Sequence, residues 1–381
     1  MYASPPRRPR ASGRARLAPA SLLPSLLATA LWAALPVHAA DLTGPLQVSD
    51  GNSLQLGADD VLTHGSGSFA LTVTGAGSSA LIDGSRINVT GNGSAVSAAN
   101  GGQVQLRGAT LSIAPATGVG FYALYANGAG SVIDARDVDI DATRNGSGFG
   151  VVQAYNGGVV HYTGGRIAMT GGVGTLVGAS GKDSEAHLDN LQMSADSGAR
   201  LRADSAGLLT IRNSRITLAP GGILAGVAVD GVGSRAELYD TYMEGGWFDI
   251  DSGGSVLLEN VEAHSVGGSM RLLGSRISKT YSSAVINGGS FYTVGGYGVN
   301  INSWGQLTAR DAAFDVRDGY SGFWLASDES RLQLTDSTID TWTDTYGYGV
   351  EIAGGVATVQ GGRITTHGDA TYGVRVTGST G

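Results

Sequence analysis

Leu209-Thr210-Ile211-Arg212-Asn213-Ser214-Arg215-Ile216 sets apolar residues at alternate positions before a short polar bend and another directly after it. The same eight-residue pattern returns at Ala80–Ile87, Leu332–Ile339 and Ala357–Ile364. With its last apolar residue as an anchor, thirteen copies align. The anchors are Ile87, Leu111, Val138, Ile167, Met193, Ile216, Met243, Ala263, Ile277, Phe291, Phe314, Ile339 and Ile364. Five positions before each anchor stands an apolar residue. Three before it stands Gly, Asn or Asp in every copy but one, where Ala135 sits. Those three residue types tolerate positive φ. Each copy therefore reads as strand, tight left-handed bend, strand, and the coil holding Ala135 is expected to bend differently.

A further strand precedes several copies, as in Tyr297-Gly298-Val299-Asn300-Ile301, Tyr348-Gly349-Val350-Glu351-Ile352 and Tyr372-Gly373-Val374-Arg375-Val376. Short strands running the same way around successive coils make a parallel solenoid. One coil cannot bury its apolar face alone, and stacking of like coils supplies the core. The expected fold is all-β, a single-stranded right-handed parallel β-helix of about 13 coils. Helical periodicity is nowhere sustained, and the leucine-asparagine signature of leucine-rich repeats is missing. Intervals of 14 residues on either side of Ile277 predict a missing strand, a kink or a loop insertion there.

Composition agrees. Glycine supplies 62 of 381 residues, roughly twice the usual share. Cysteine is zero, which excludes disulfides, thiolate metal sites and cysteine nucleophiles. Residues 1–39 read as an export signal: Arg7, Arg8, Arg10, Arg14 and Arg16 precede an apolar stretch from Leu17 to Val37. Without those arginines the remainder carries 19 basic and 32 acidic residues, a net charge of −13. Nucleic acid is not an expected partner, since phosphate contacts require clustered positive charge. Residues 40–65 read as an amino-terminal cap or first coil, and 66–381 as the solenoid. The repeat begun at Tyr372 stops short, which suggests a truncated product.

An exported, cysteine-free, glycine-rich solenoid built from Tyr-Gly-Val and Leu-x-[Asp/Gly]-[Gly/Ser]-x-Ile units resembles the passenger of pertactin-like autotransporters over roughly residues 41–381. The resemblance implies a β-helix displayed on, or released from, a Gram-negative outer membrane, with roles in adhesion, immune evasion or virulence. A full-length relative would carry a carboxy-terminal translocator barrel, absent here. The integrin-binding Arg-Gly-Asp tripeptide of some relatives is also absent. The expected partner is a host-surface or sibling-cell ligand, protein or glycan.

Enzyme chemistry is the alternative, because many β-helices act on polysaccharides. A lyase would need carboxylates on neighbouring coils around Ca²⁺ with an Arg or Lys base. Asp137, Asp139 and Asp141 alternate on one face, with Thr110, Ser112 and Ala114 aligned below and Arg166, Ala168 and Thr170 above. Arg166 is then a salt partner for Asp137, and the face reads as solvated. Asp249 and Asp251, near Glu259 and Glu262, are a second acidic candidate. His64, His161, His187, His264 and His367 lie inside the repeat array without a protease-type serine segment. No catalytic residue, cofactor or metal is assigned, and an inert stalk is a third reading. Arg86, Arg166, Arg215, Arg276 and Arg363 precede anchors on non-adjacent copies, a spacing that avoids stacked like charges. Eleven aromatic residues fall between Phe291 and Tyr348. Of these, Trp304, Tyr320, Trp342 and Tyr346 lie in or beside bends and form the expected ligand platform.

Overall fold

Alternation around a left-handed bend leaves each coil with an apolar lining that only a neighbouring coil can cover. In a computed structural model that describes residues 40–65, 67–114, 121–143, 147–219, 226–344 and 346–378, every coil after the first is built that way. The expected export signal lies outside the described residues. A representative coil runs Val227–Asp230 on face 1, Arg235–Tyr239 on face 2 and Tyr242–Glu244 on face 3. The next coil lies directly above it in parallel register, Val227 on Phe248, Leu238 on Leu258 and Met243 on Ala263. The result is a right-handed parallel β-helix with no helical element among the described residues. The strands Asp41–Thr43, Leu46–Val48, Ser53–Leu56 and Val61–His64 stack in the same register at its beginning.

The inward column of face 2 reads Leu56, Ile82, Leu106, Ala135, Tyr162, Leu188, Ile211, Leu238, Leu258, Ile286, Ala309, Leu334 and Val359. These thirteen rungs are separated by twelve turns. All but Val359 are almost fully buried, each aliphatic side chain contributing about 1.5–3 kcal/mol when withdrawn from water. The buried Tyr162 keeps its hydroxyl satisfied by donating to the Val138 carbonyl at 2.8 Å.

Two anchors require correction. Ile140, not Val138, pairs with Leu111 below and Ile167 above. The residue three before it is Asp137, with φ +52°. The exception at Ala135 therefore disappears, since Ala135 is the inward residue of face 2. Ile277 belongs to no column. It is 99% exposed, within a loop closed by an antiparallel bridge between Ser275 and Thr280. Ala263 pairs directly with Phe291, so the two short intervals are one full coil with a loop insertion. The bend between faces 2 and 3 is then uniform. Gly84, Gly108, Asp137, Gly164, Asn190, Asn213, Asp240, Asn260, Gly288, Asp311, Asp336 and Gly361 all take positive φ.

The corner between faces 1 and 2 follows a different rule, with a period of two coils. Its positions alternate Ser78, Gly102, Ser131, Gly158, Ser184, Gly207, Ser234, Gly254, Ser282, Gly305, Ser330, Gly355. Each of these serines is fully buried. Ser184 Oγ accepts the amide of Gly157 in the coil below at 2.9 Å and donates to the Ser180 carbonyl at 2.7 Å. Ser131 and Ser234 repeat both bonds. On the intervening coils a Cβ would overlap backbone: at Gly158 the Ala126 carbonyl oxygen, at Gly207 that of Ala179. Serine seals one coil to the next, and glycine lets the following coil approach.

The connection from face 3 back to face 1 has no fixed length. Two residues separate Val159–Thr170 from Val173–Ser180, whereas eight separate Arg215–Leu218 from Val227–Asp230. This variability surrounds face 1, where the side chains of most chemical interest lie.

Candidate ligand-binding face

On face 1 the inward residues are apolar, and the outward residues between them form one vertical column. It runs Tyr125, Gln153, Gly178, Arg202, Ala228, Asp249, Arg271, Asn300, Trp324, Glu351 and Arg375. Small residues stand in it at Gly178 and Ala228, and the charged Arg202, Asp249 and Arg271 lie near its middle. Two grooves open along it, one beside the rungs from Tyr125 to Arg202 and the other beside Arg271 and Asn300.

The first groove has a volume of about 450 Å³ and is lined by Tyr122, Tyr125, Tyr155, Gln153, Arg200, Arg202 and Asp204, with Gly150, Thr175 and Gly178 among its smaller residues. The tyrosines form a stacked wall: ring centroids are 4.4 Å apart for Tyr122 and Tyr125, and 6.3 Å for Tyr125 and Tyr155. Phe69 stacks on Tyr125 at 5.8 Å. Burial, then the neighbouring phenols, pushes the Tyr122 hydroxyl well above its ordinary range, and Tyr125 moves the same way for the same reasons. Both hydroxyls therefore stay protonated. Glycine at 178 makes room for the Gln153 side chain, which a Cβ there would overlap.

The charges in this groove are unevenly matched. Arg202 pairs with Asp204 at 2.7 Å, and Asp204 also accepts from Ser180 Oγ. Among the described residues Arg200, half-buried, forms no ion pair, and its Nε is enclosed without a hydrogen-bond partner. Burial, then repulsion from Arg202, lowers its pKa, with Asp204 and Asp230 opposing. A guanidinium keeps its charge in such surroundings.

The second groove, about 440 Å³, is lined by Trp247, Met270, Arg271, Tyr297 and Asn300 with Gly246, Gly267 and Gly268. Arg271 holds Asp249 through two bonds of 2.8 Å and lies 5.3 Å from the Trp247 ring. Tyr297 stacks on Trp324 at 4.7 Å and tilts against Tyr320 at 5.4 Å. Asn300 Oδ1 is enclosed and has no hydrogen-bond partner among the described residues. Both grooves thus combine aromatic rings, an Arg–Asp pair and one enclosed polar atom without a protein partner.

The four residues nominated by sequence do not form one patch. Trp304 occupies the corner between faces 1 and 2, edge-on to Tyr281 at 5.1 Å. Tyr320 lies on a connection from face 3 to face 1, while Trp342 ends the next face 3 strand and Tyr346 begins the face 1 strand that follows it. Trp342 stacks at 3.6 Å on His367 of the coil above, and the Arg317 guanidinium of the coil below lies 4.5 Å from its ring centroid. Tyr320 joins the second groove through Tyr297. Tyr346 is 66% exposed. Reasoning from bends missed Tyr122, Tyr125, Trp247, Trp324 and Arg200, which lie on or beside face 1 strands rather than at the anchored bend.

The acidic candidates also resolve. With Ile140 as anchor, Asp139 pairs with Thr110 and Arg166, and Arg166 bridges to Asp141 at 2.8 Å rather than to Asp137. Asp249 is neutralised by Arg271, while Glu259 and Glu262 lie on faces 2 and 3, so these carboxylates do not share a site. Among the described residues no group of three or more metal-ligating side chains assembles. Arg86, Arg166, Arg215 and Arg363 do share one outward column of face 3 and are never adjacent. Arg276 leaves it for the 275–280 loop, where it donates to Ser303 Oγ at 2.8 Å. In the vacant rung above Arg215 stands Tyr242, whose ring centroid is 4.1 Å from the guanidinium.

No protein-family model and no curated protein sequence matches this chain. Among solved structures, the crystal structure of a TibC-catalysed, hyper-glycosylated TibA fragment (residues 55–350) is similar at 15% identity and a TM-score of 0.24. The match covers 88% of this chain and 100% of that one. The fold described above rests on the strand ladders.

Proposed function

We propose that the chain is an adhesin-like rod, exported from the cell and displayed on or released from its surface, that binds an extended ligand along face 1 without turning it over. The observation that carries this reading is the placement of two grooves of similar size and chemistry on the same face of one rigid ladder. Concave sites lined by rings with a few convergent polar groups are the usual form of a ligand site. The export-type residues 1–39, the lack of cysteine and the acidic remainder support an extracytoplasmic setting. The passenger-like repeats support display as the purpose of the rod.

The test compares faces. The purified protein is assayed for attachment to immobilised glycans and to epithelial cells, alongside a Tyr125→Ala/Trp324→Ala variant of face 1 and a Tyr242→Ala variant of face 3. The face 1 variant is expected to lose attachment by about tenfold or more, as removal of central aromatic anchors does, while the face 3 variant retains it. Equal attachment by all three proteins contradicts the reading, and release of unsaturated uronate products would replace it with a lyase.

A further inference from the structure

We propose that the first groove takes an acidic oligosaccharide, with one sugar ring stacked on the Tyr122–Tyr125–Tyr155 wall and the carboxylate of a neighbouring uronic acid held by Arg200. This deepens the reading of face 1 as the binding face and rests on it.

Three observations converge on this ligand. The first is charge. The chain beyond residue 39 is strongly acidic, so its overall field repels anions, and an anion must be held by a local cation. Arg202 is paired with Asp204, whereas among the described residues Arg200 forms no ion pair and its Nε is enclosed without a partner. An enclosed donor left unsatisfied is unfavourable, and a planar guanidinium matches a carboxylate in two-point geometry.

The second observation is the ring wall. Tyrosines stacked on one another cover their inner faces and leave an outer ring face and a row of ring edges with hydroxyls at the rim, and the Tyr122 and Tyr125 phenols stay neutral donors. That surface suits the apolar face of a pyranose.

The third is spacing. From Tyr125 the column climbs through Gln153 and Gly178 to Arg202, and Arg200 lies two residues before Arg202. Two to three rungs span about 10–14 Å, longer than a single sugar ring. Tyrosine wall and arginine therefore address successive residues of a chain, with Gln153 between them as a polar contact.

Binding is measured by calorimetry on the full protein with three probes: an oligogalacturonate, its carboxyl-reduced neutral counterpart, and a sulfated neutral oligosaccharide of the same length. Arg200→Gln, Arg200→Lys, Tyr125→Ala and Trp324→Ala are compared with the parent. The oligogalacturonate is expected to bind most tightly. Arg200→Gln should weaken it roughly tenfold to a hundredfold, the range for losing a charged hydrogen bond. Arg200→Lys should fall between, Tyr125→Ala should weaken all probes, and Trp324→Ala should leave this groove's binding unchanged. Should Arg200→Gln unfold by circular dichroism, the ratio of acidic to neutral affinity in Arg200→Lys and the parent decides the matter. Equal binding of acidic and neutral probes, or preference for the sulfated one, overturns this proposal. It leaves face 1 standing if Tyr125→Ala still loses binding. Saccharide binding that Tyr125→Ala leaves unaltered, or no binding of any probe, overturns this proposal and removes its support from the broader reading.

Discussion

Two corners of the same coil solve the same problem differently. Between faces 2 and 3 the chain needs one residue at positive φ, and every coil from Gly84 onward supplies it with Gly, Asn or Asp. The requirement is local, so each coil meets it alone. Between faces 1 and 2 the requirement spans two coils: a serine hydroxyl bonds the amide of the coil below, and the next coil presents glycine so that its backbone fits against a carbonyl. The first corner sets how the chain turns. The second sets how coils mate, and makes the pair of coils the structural unit.

Substitutions break this contrast in graded fashion. Gly207→Ser puts serine on consecutive coils, where its Cβ overlaps the Ala179 carbonyl. It should destabilise by about 3 kcal/mol or more in urea titration, the largest effect of the set. Ser184→Ala leaves the Gly157 amide and the Ser180 carbonyl without their hydroxyl partner. A loss of about 1–3 kcal/mol follows, with faster hydrogen exchange at Gly157 as the local signature.

At the other corner, Asn213→Ala forces alanine into φ +48° and should cost about 1–2 kcal/mol, whereas Asn213→Gly should be close to neutral. A larger penalty for Asn213→Ala than for Gly207→Ser would reverse the assignment of roles.

The smallest effect concerns face 2, where the His161 and His187 rings stack at 5.1 Å. Partial desolvation, then the His187 neighbour, holds His161 below its ordinary 6.5. The unfolded chain therefore binds a proton there more readily than the folded one. The stability involved is fully present above about pH 6.5 and is lost as pH falls through that value toward the folded pKa. His161→Gln should flatten the decline of melting temperature between about pH 6.5 and 5 relative to the parent.

The uniform corner was legible in sequence because positive φ admits few residue types. Val138 and Ile140 both alternate with aspartates, so the local pattern fits either as the anchor. Ala135 three before Val138 is the visible sign against that choice, and shifting to Ile140 puts Asp137 at the bend. Ser275-Arg276-Ile277 imitates the motif, but φ at Gly274 is not positive and no bend forms there. The serine–glycine alternation is also written in the sequence. It stays hidden while coils are aligned singly, since one column then mixes two residue types.

The grooves were the least legible part. Face 1 strands follow connections of variable length, so no fixed offset ties Tyr125 to Arg202 or Trp247 to Tyr297. Only stacking brings such residues together. Tyr320 stands out in sequence because it flanks a bend, whereas nothing local distinguishes Arg200 from a solvated arginine.

The claim that face 1 is the binding face is tested most directly by hydroxyl-radical footprinting of the protein with and without a saturating oligogalacturonate. Protection of Tyr122, Tyr125 and Tyr155, with Tyr239 on face 2 and Tyr242 and Tyr292 on face 3 unchanged, is the predicted result. Protection confined to Tyr239, Tyr242 or Tyr292 would contradict it.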